Sequence, residues 1–195
     1  MSTERLRPRR SHAGDGLFIL GLVGRAGSGK STVARAIVAD GGAWIDADRI
    51  GHEVTDQDPE VRRALEAEYG ADIYRDDGTL DRRRVAASVF TDPAARARLD
   101  ALVHPRILAR AWEELNSLRL SGHRGVVVLD SALLLHWGME RSCDAVLAVQ
   151  RPGEWFSDAA DLTIENGGSV AELERAARAA VVRLMAERRA ALRTV

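Results

Sequence analysis

Three features of the sequence predict an α/β fold with a parallel sheet of about five strands flanked by helices. They are short apolar runs of strand length, amphipathic helical stretches alternating with them, and a glycine-rich turn after the first run. Residues 17–23 (LFILGLV) are continuously apolar, as a central parallel strand buried on both faces requires. Residues 28–40 read as the helix that follows. Further apolar runs at 43–46, 125–130, 145–149 and 162–164, each bounded by Gly, Asp or Asn, bring the strands to five. Between the second and third lies a long helical region, where Asp58-Pro59 and Asp92-Pro93 each set an N-cap before a first-turn proline. Leu99, Leu102, Val103, Leu108, Ala111, Trp112, Leu115 and Leu118 recur at helical spacing, and His104-Pro105 in their midst is expected to kink or break the helix. Ser169-Val-Ala-Glu172 is a capping box, and Leu173, Ala177, Val181 and Leu184 carry one apolar stripe down a long closing helix.

The chain has 195 residues, enough for one domain with a sizeable core. Apolar residues at 46%, charged residues at 29% and a net charge of −1 exclude a disordered or collagen-like chain. The balance also argues against nucleic-acid or membrane-surface binding, which leaves a strongly basic footprint. The single cysteine, Cys143, reads as a partly buried thiol, and the absence of a disulfide framework suits a cytoplasmic setting. Residues 1–16 read as a disordered basic tail, and 17–195 as the single domain. Arginines followed by the apolar run imitate a secretory signal, but the run is short of the roughly 20 residues that span a bilayer and leads into a glycine-rich loop.

That loop, Gly24-Arg-Ala-Gly27-Ser28-Gly29-Lys30-Ser31, fits G-x-x-x-x-G-K-[ST] between a predicted strand and a predicted helix, the context that gives the motif its meaning. Glycines let the backbone curl so that N–H groups converge on the β- and γ-phosphates of ATP, with the helix N-terminus adding partial positive charge. Lys30 is the one lysine; the other 27 basic residues are arginine, whose planar fork suits so tight a cradle poorly. Ser31 is expected to hold Mg²⁺ through its hydroxyl. Val126-Val-Val-Leu-Asp130 ends in a carboxylate that either serves the magnesium site or caps a turn. The fold is therefore expected to be that of a P-loop NTPase of the nucleotide-kinase type.

Trp44-Ile-Asp46-Ala-Asp48-Arg49 puts two carboxylates at the carboxyl end of the second strand, where ligands of open α/β sheets gather. Asp46 and Asp48 could each serve a hydroxyl acceptor or cap the next helix. A carboxylate at such a site positions the hydroxyl and takes its proton late, so it needs no raised pKa.

The loop from Gly24 to Thr32 combines with Ile45-Asp46-Ala-Asp48, Asp77-Gly-Thr-Leu-Asp81-Arg82, Val89-Phe90, Leu102-Val-His104-Pro105 and Asp161-Leu-Thr-Ile-Glu-Asn166-Gly-Gly-Ser169. In that order, these segments resemble the dephospho-coenzyme A kinase family over nearly the whole chain from Leu17. The resemblance implies transfer of the ATP γ-phosphate to the ribose 3′-hydroxyl of dephospho-coenzyme A. It matches Asp48 to the proposed base, with Lys30 catalytic beside it, and gives the nucleotide to Gly27, Ser28, Gly29, Lys30, Ser31, Thr32 and Asn166, the last near adenine. It gives the acceptor to a helical region over 51–120. Dephospho-coenzyme A and ATP would be the small-molecule partners of a monomer or small homo-oligomer. His104 is expected to be structural.

Two departures from the family pattern stand out. Only residues 150–160 join the fourth and fifth strands, about what a parallel crossover itself needs, which leaves no room for a lid of two helices. Arg151 is the one cation in that connection, and Trp155 and Phe156 are expected to plug the gap. In Ser131-Ala-Leu-Leu-Leu-His136, a histidine stands where the family carries an acid. Besides an active kinase, the sequence thus admits a nucleotide-binding pseudokinase or a kinase of another small hydroxyl compound.

Overall fold

The computed structural model describes residues 16–156 and 158–193. The basic segment 1–15 lies outside the described residues, as does the side chain of Phe90.

The strands are β1 (Leu17–Val23), β2 (Ala43–Asp46), β3 (Gly125–Asp130), β4 (Ala145–Gln150) and β5 (Leu162–Glu165). They form one parallel sheet in the order β2-β3-β1-β4-β5. Every residue of β1 is buried, which accounts for its lack of alternation: it is the middle strand and both faces are covered. The helices are α1 (Lys30–Ala39), α2 (Ala47–Gln57), α3 (Pro59–Tyr69), α4 (Arg82–Thr91), α5 (Pro93–Leu120) and α6 (Val170–Leu192).

The chain divides into two compact units. The first, residues 1–46 and 115–195, contains the sheet. Phe18, Leu20 and Leu22 leave one face of β1 and pack with Val33 and Ile37 of α1 and with Leu173, Ala177 and Leu184 of α6. On the other face Gly21 makes room for its neighbours, since a Cβ there would stand 3.0 Å from Cys143 Sγ and 3.3 Å from Leu134. Cys143 is fully buried, deeper than its sequence context suggests.

Two aspartates start strands by the same device. Asp144 donates its N–H to the Ile19 carbonyl (2.7 Å) and accepts the Ile19 N–H on its carboxylate (2.9 Å). Asp161 does the same to Val146, at 2.9 and 2.7 Å. Each side chain thus acts as a further ladder carbonyl and fixes where the next strand joins. Asp144 is 3% exposed, and Arg188 of α6 lies 3.7 Å from its carboxylate, also buried.

The second unit, residues 47–114, is helical. The side chain of Asp58 accepts the N–H groups of Glu60 and Val61 to start α3, and Asp92 accepts that of Ala94 to start α5, as the Asp-Pro pairs predict. Asp56 joins α2 to the segment before α4, taking the Leu80 N–H and an Arg82 guanidinium, each at 3.0 Å. Arg62 donates to the carbonyls of Asp56 and Gly78 and stacks over Tyr74, 3.8 Å from the ring centre. One expectation fails here: α5 continues through His104-Pro105 as a single helix. Proline removes the donor that would reach the Ala101 carbonyl, but the buried stripe of Val103, Ile107 and Ala111 continues across it on one face, and packing carries the helix through.

The backbone N–H of Val61, and after it that of Glu60, holds the Asp58 carboxyl below its usual 3.8. Because the folded value is the lower one, the charge stabilises the fold above the unfolded pKa and ceases to as pH falls through the folded value. Asp58→Ala should therefore cost about 1 kcal/mol near neutral pH, and urea titrations should show that gap narrowing as the medium is taken below 3.8. Arg188→Ala removes the cation beside a buried carboxylate and should cost about 3 kcal/mol, read as a lower urea midpoint at unchanged slope.

Candidate active site

The glycine-rich loop leaves the carboxyl end of β1 and enters α1. Its helix starts at Lys30 rather than at residue 28, because Ser28 and Gly29 belong to the turn. Gly29, the N-cap, has φ 108°, and a Cβ on it would lie 2.7 Å from Asn166 Nδ2 and 2.8 Å from Leu173. Gly24 is equally constrained, since a Cβ there would collide with the Val149 carbonyl of β4. Both glycines answer to left-handed backbone and close packing at once.

The loop carbonyls of Gly24, Arg25, Ala26, Ser28 and Gly29 each accept a hydrogen bond from the protein, which fixes the course of the loop. The Gly24 carbonyl accepts Lys30 Nζ at 3.0 Å, and that of Arg25 accepts the Ser28 N–H at 3.1 Å. Ala26 accepts Arg151 Nη2 at 3.2 Å. Ser28 accepts Asn166 Nδ2 at 2.9 Å, and Gly29 accepts the N–H groups of Thr32 and Val33. The N–H groups of Gly29, Lys30 and Ser31 stand at the start of α1, where no intrahelical acceptor exists for them. Ser28 is buried beneath the loop, whereas Gly27 and Ser31 are exposed and Thr32 is half-buried. The loop therefore carries the start of α1 and the Lys30 ammonium together, both of which suit an anion.

Asp46 and Asp130 stand opposite each other in the β2–β3 register, and Asp130 is likewise opposite Leu22 of β1. Register partners in a parallel pair leave the sheet on one face, so both carboxylates emerge on the side that carries α1 and Ser31. Asp130 is 6% exposed and Asp46 half-buried. No group of three or more His, Cys, Asp or Glu among the described residues could hold a metal by itself. A hydroxyl with one or two carboxylates does fit Mg²⁺, which keeps waters and takes phosphate oxygens rather than an all-protein cage.

Asp48 is exposed, in the first turn of α2, two residues along the chain from Asp46. Asn166 sits just past β5 with its side chain on the loop carbonyl of Ser28, so its observed contact is with the loop backbone. His104 is half-buried, and His136 is exposed. The expectation that Trp155 plugs a gap is overturned: it is 67% exposed. The reason is a tight turn, Arg151-Pro152-Gly153-Glu154, closed by the Glu154 N–H on the Arg151 carbonyl at 3.0 Å with Gly153 at φ 76°. It completes the bend before Trp155 is reached.

The contacts of Arg151 and Asn166 were missing from the sequence analysis. Spacing carries no signal for either, since each spans more than 120 residues to reach a backbone carbonyl.

The dephospho-CoA kinase family model matches residues 18–156. A dephospho-CoA kinase of Moorella thermoacetica is 40% identical over 136 residues, covering 70% of this chain and 64% of the relative. One of Deinococcus radiodurans is 45% identical over 135 residues, covering 69% and 63%, and one of Frankia casuarinae 34% over 185 positions, covering 81% and 80%. The chain thus spans less than two thirds of the length of several curated relatives it matches. Among solved structures, TT1252 of Thermus thermophilus superposes with a TM-score of 0.68 at 29% identity, covering 86% of this chain and 97% of that one. Dephospho-CoA kinase from Campylobacter jejuni gives 0.60 at 18% with the same coverage, a likeness of fold. With the family match covering most of its length and a phosphate loop of the expected build, this chain belongs to the dephospho-CoA kinase family.

Proposed function

We infer that the protein phosphorylates the ribose 3′-hydroxyl of dephospho-coenzyme A with ATP, giving coenzyme A and ADP. The observation that carries this reading is the loop of residues 24–31 between β1 and α1, in which Gly29 caps the helix at φ 108°, Lys30 opens it, and the carbonyls of Gly24, Ala26 and Ser28 are held by Lys30, Arg151 and Asn166. Family membership supplies the acceptor.

In this reading the N–H groups of Gly27, Gly29, Lys30 and Ser31 bind the β- and γ-phosphates, Ser28 and Thr32 shape the cradle with their N–H groups on the carbonyls of Arg25 and Gly29, and Asn166 keeps the loop curled while lying toward the adenine side. Lys30 exchanges the Gly24 carbonyl for phosphate oxygen as the nucleotide enters. Ser31 and Asp130 hold Mg²⁺, which when bound offsets the charge of the phosphates. The acceptor oxygen attacks the γ-phosphorus, the bond from phosphorus to the β-phosphate oxygen breaks, and Asp48 takes the hydroxyl proton. The helical residues 51–120 supply the acceptor's binding surface.

We further infer that residues 150–160 are a shortened lid connection. The family match ends at residue 156, inside it. The alignment with the Frankia casuarinae relative runs over 185 positions yet uses 81% of a 195-residue chain, so part of that relative has no counterpart here. The short connection favours one second reading, a nucleotide-binding protein without turnover, because lid closure both excludes water and brings charge to the phosphates.

Incubation with Mg-ATP and dephospho-coenzyme A, followed by mass spectrometry, should yield coenzyme A with wild type and none with Lys30→Ala. ATP binding without product would establish the second reading instead. Asp48→Asn should lower kcat by about 10²-fold or more with ATP affinity retained; an unimpaired variant would remove Asp48 from the mechanism.

A further inference from the structure

We propose that Arg151, at the start of the β4–β5 connection, is the cation that reads the γ-phosphate of bound ATP and stabilises its transfer. The proposal rests on the loop of residues 24–31 being a nucleotide site, and it assigns a role to a side chain that the family resemblance leaves without one.

Placement is the first argument. Arg151 Nη2 donates to the Ala26 carbonyl and would lie 3.3 Å from a Cβ on Gly27, with no other heavy atom of the described residues within 4 Å of that point. The guanidinium therefore borders the exposed rim of the loop beside Gly27, which the proposed nucleotide site includes. Arg151 is exposed, and a guanidinium has five donors in a fixed fork, so the bond to Ala26 leaves others for an anion.

Fixation is the second. The Glu154 N–H closes the turn on the Arg151 carbonyl, and the Glu154 carboxylate accepts the Arg151 N–H at 3.4 Å. Pro152 packs so closely on Gly167 that a Cβ there would stand 2.5 Å from its ring, and the Asn166 N–H donates to the neighbouring Gln150 carbonyl at 2.7 Å. The arginine thus projects from a braced strand end, a rigid support of the kind that positions catalytic groups well.

Need is the third. Phosphoryl transfer spreads charge over the outer phosphate oxygens and the leaving oxygen, and an arginine at that charge is worth about 10³–10⁵ in rate where one has been removed. In the sequence from 151 to 161, Arg151 is the one cation. It moves no proton and forms no covalent bond; its N–H groups donate to γ-phosphoryl oxygens while the bond to the β-phosphate breaks.

The test is calorimetric titration of the full chain with Mg-ATP and with Mg-ADP, for wild type, Arg151→Gln and Arg151→Lys, with melting temperatures alongside. Glutamine removes the charge and shortens the reach to the Ala26 carbonyl, so a mere loop staple would weaken ATP and ADP alike whereas a reader of the γ-phosphate weakens ATP alone. Arg151→Gln should lose about tenfold or more in ATP affinity with ADP affinity unchanged, and Arg151→Lys should fall between it and wild type. Equal affinities of wild type and Arg151→Gln for both nucleotides would overturn the proposal, as would equal losses for ATP and ADP. An ATP-specific loss in a protein that makes no coenzyme A would uphold the reading of the γ-phosphate by Arg151 and refute both its part in transfer and the kinase reading. Failure of wild type to bind ATP would refute both.

Discussion

The fastening of the loop carbonyls between Gly24 and Gly29 is the constraint on which the rest of the site depends. A peptide unit that points its N–H toward an anion sends its carbonyl the other way, and a carbonyl sent into protein needs a donor. The donors come from three places: the loop and α1 itself, Arg151 at the end of β4, and Asn166 at the end of β5. The two distant donors explain why the sheet order matters to the chemistry. With β4 beside β1 and β5 beside β4, both strand ends reach the loop, and neither contact is available to a helix-capping segment in isolation.

The opposite end of the same strands shows a matching economy of parts. Asp144 and Asp161 each extend a ladder by one carboxylate at the point where a strand joins its neighbour. A register held at its start delivers its carboxyl end to a defined height, and so the positions of Arg151 and Asn166 over the loop follow in part from aspartates on the far side of the sheet. The Asp46–Asp130 pairing has the same logic, since a one-residue slip would send one carboxylate to the other face.

Much of this was legible in the sequence. The five strands were visible because parallel strands buried on both faces read as unbroken apolar runs, and β1 and β2 fall where those runs do. The phosphate loop, the two Asp-Pro caps and the Ser169–Glu172 box were visible because each is a local device whose residues lie within a few positions of one another. The illegible parts are those in which a side chain meets a remote backbone group. Pro105 looked like a helix breaker, since local propensity does not show that the buried stripe of Val103, Ile107 and Ala111 holds α5 on both sides of it. Trp155 looked like a plug, since the Pro152-Gly153 turn ahead of it left no trace in hydrophobic pattern. Asp144 and Asp161 looked like ordinary strand boundaries.

The space that Gly21 leaves on the far face of β1 has a practical consequence. It is filled by Cys143, the chain's single cysteine, whose thiol is inaccessible and directed at the Met139 carbonyl. A water-borne thiol reagent can reach that sulfur only when the packing around the central strand comes apart. The rate of its modification is consequently a clock for opening of the sheet itself, built into the unaltered chain and blind to motions confined to its surface.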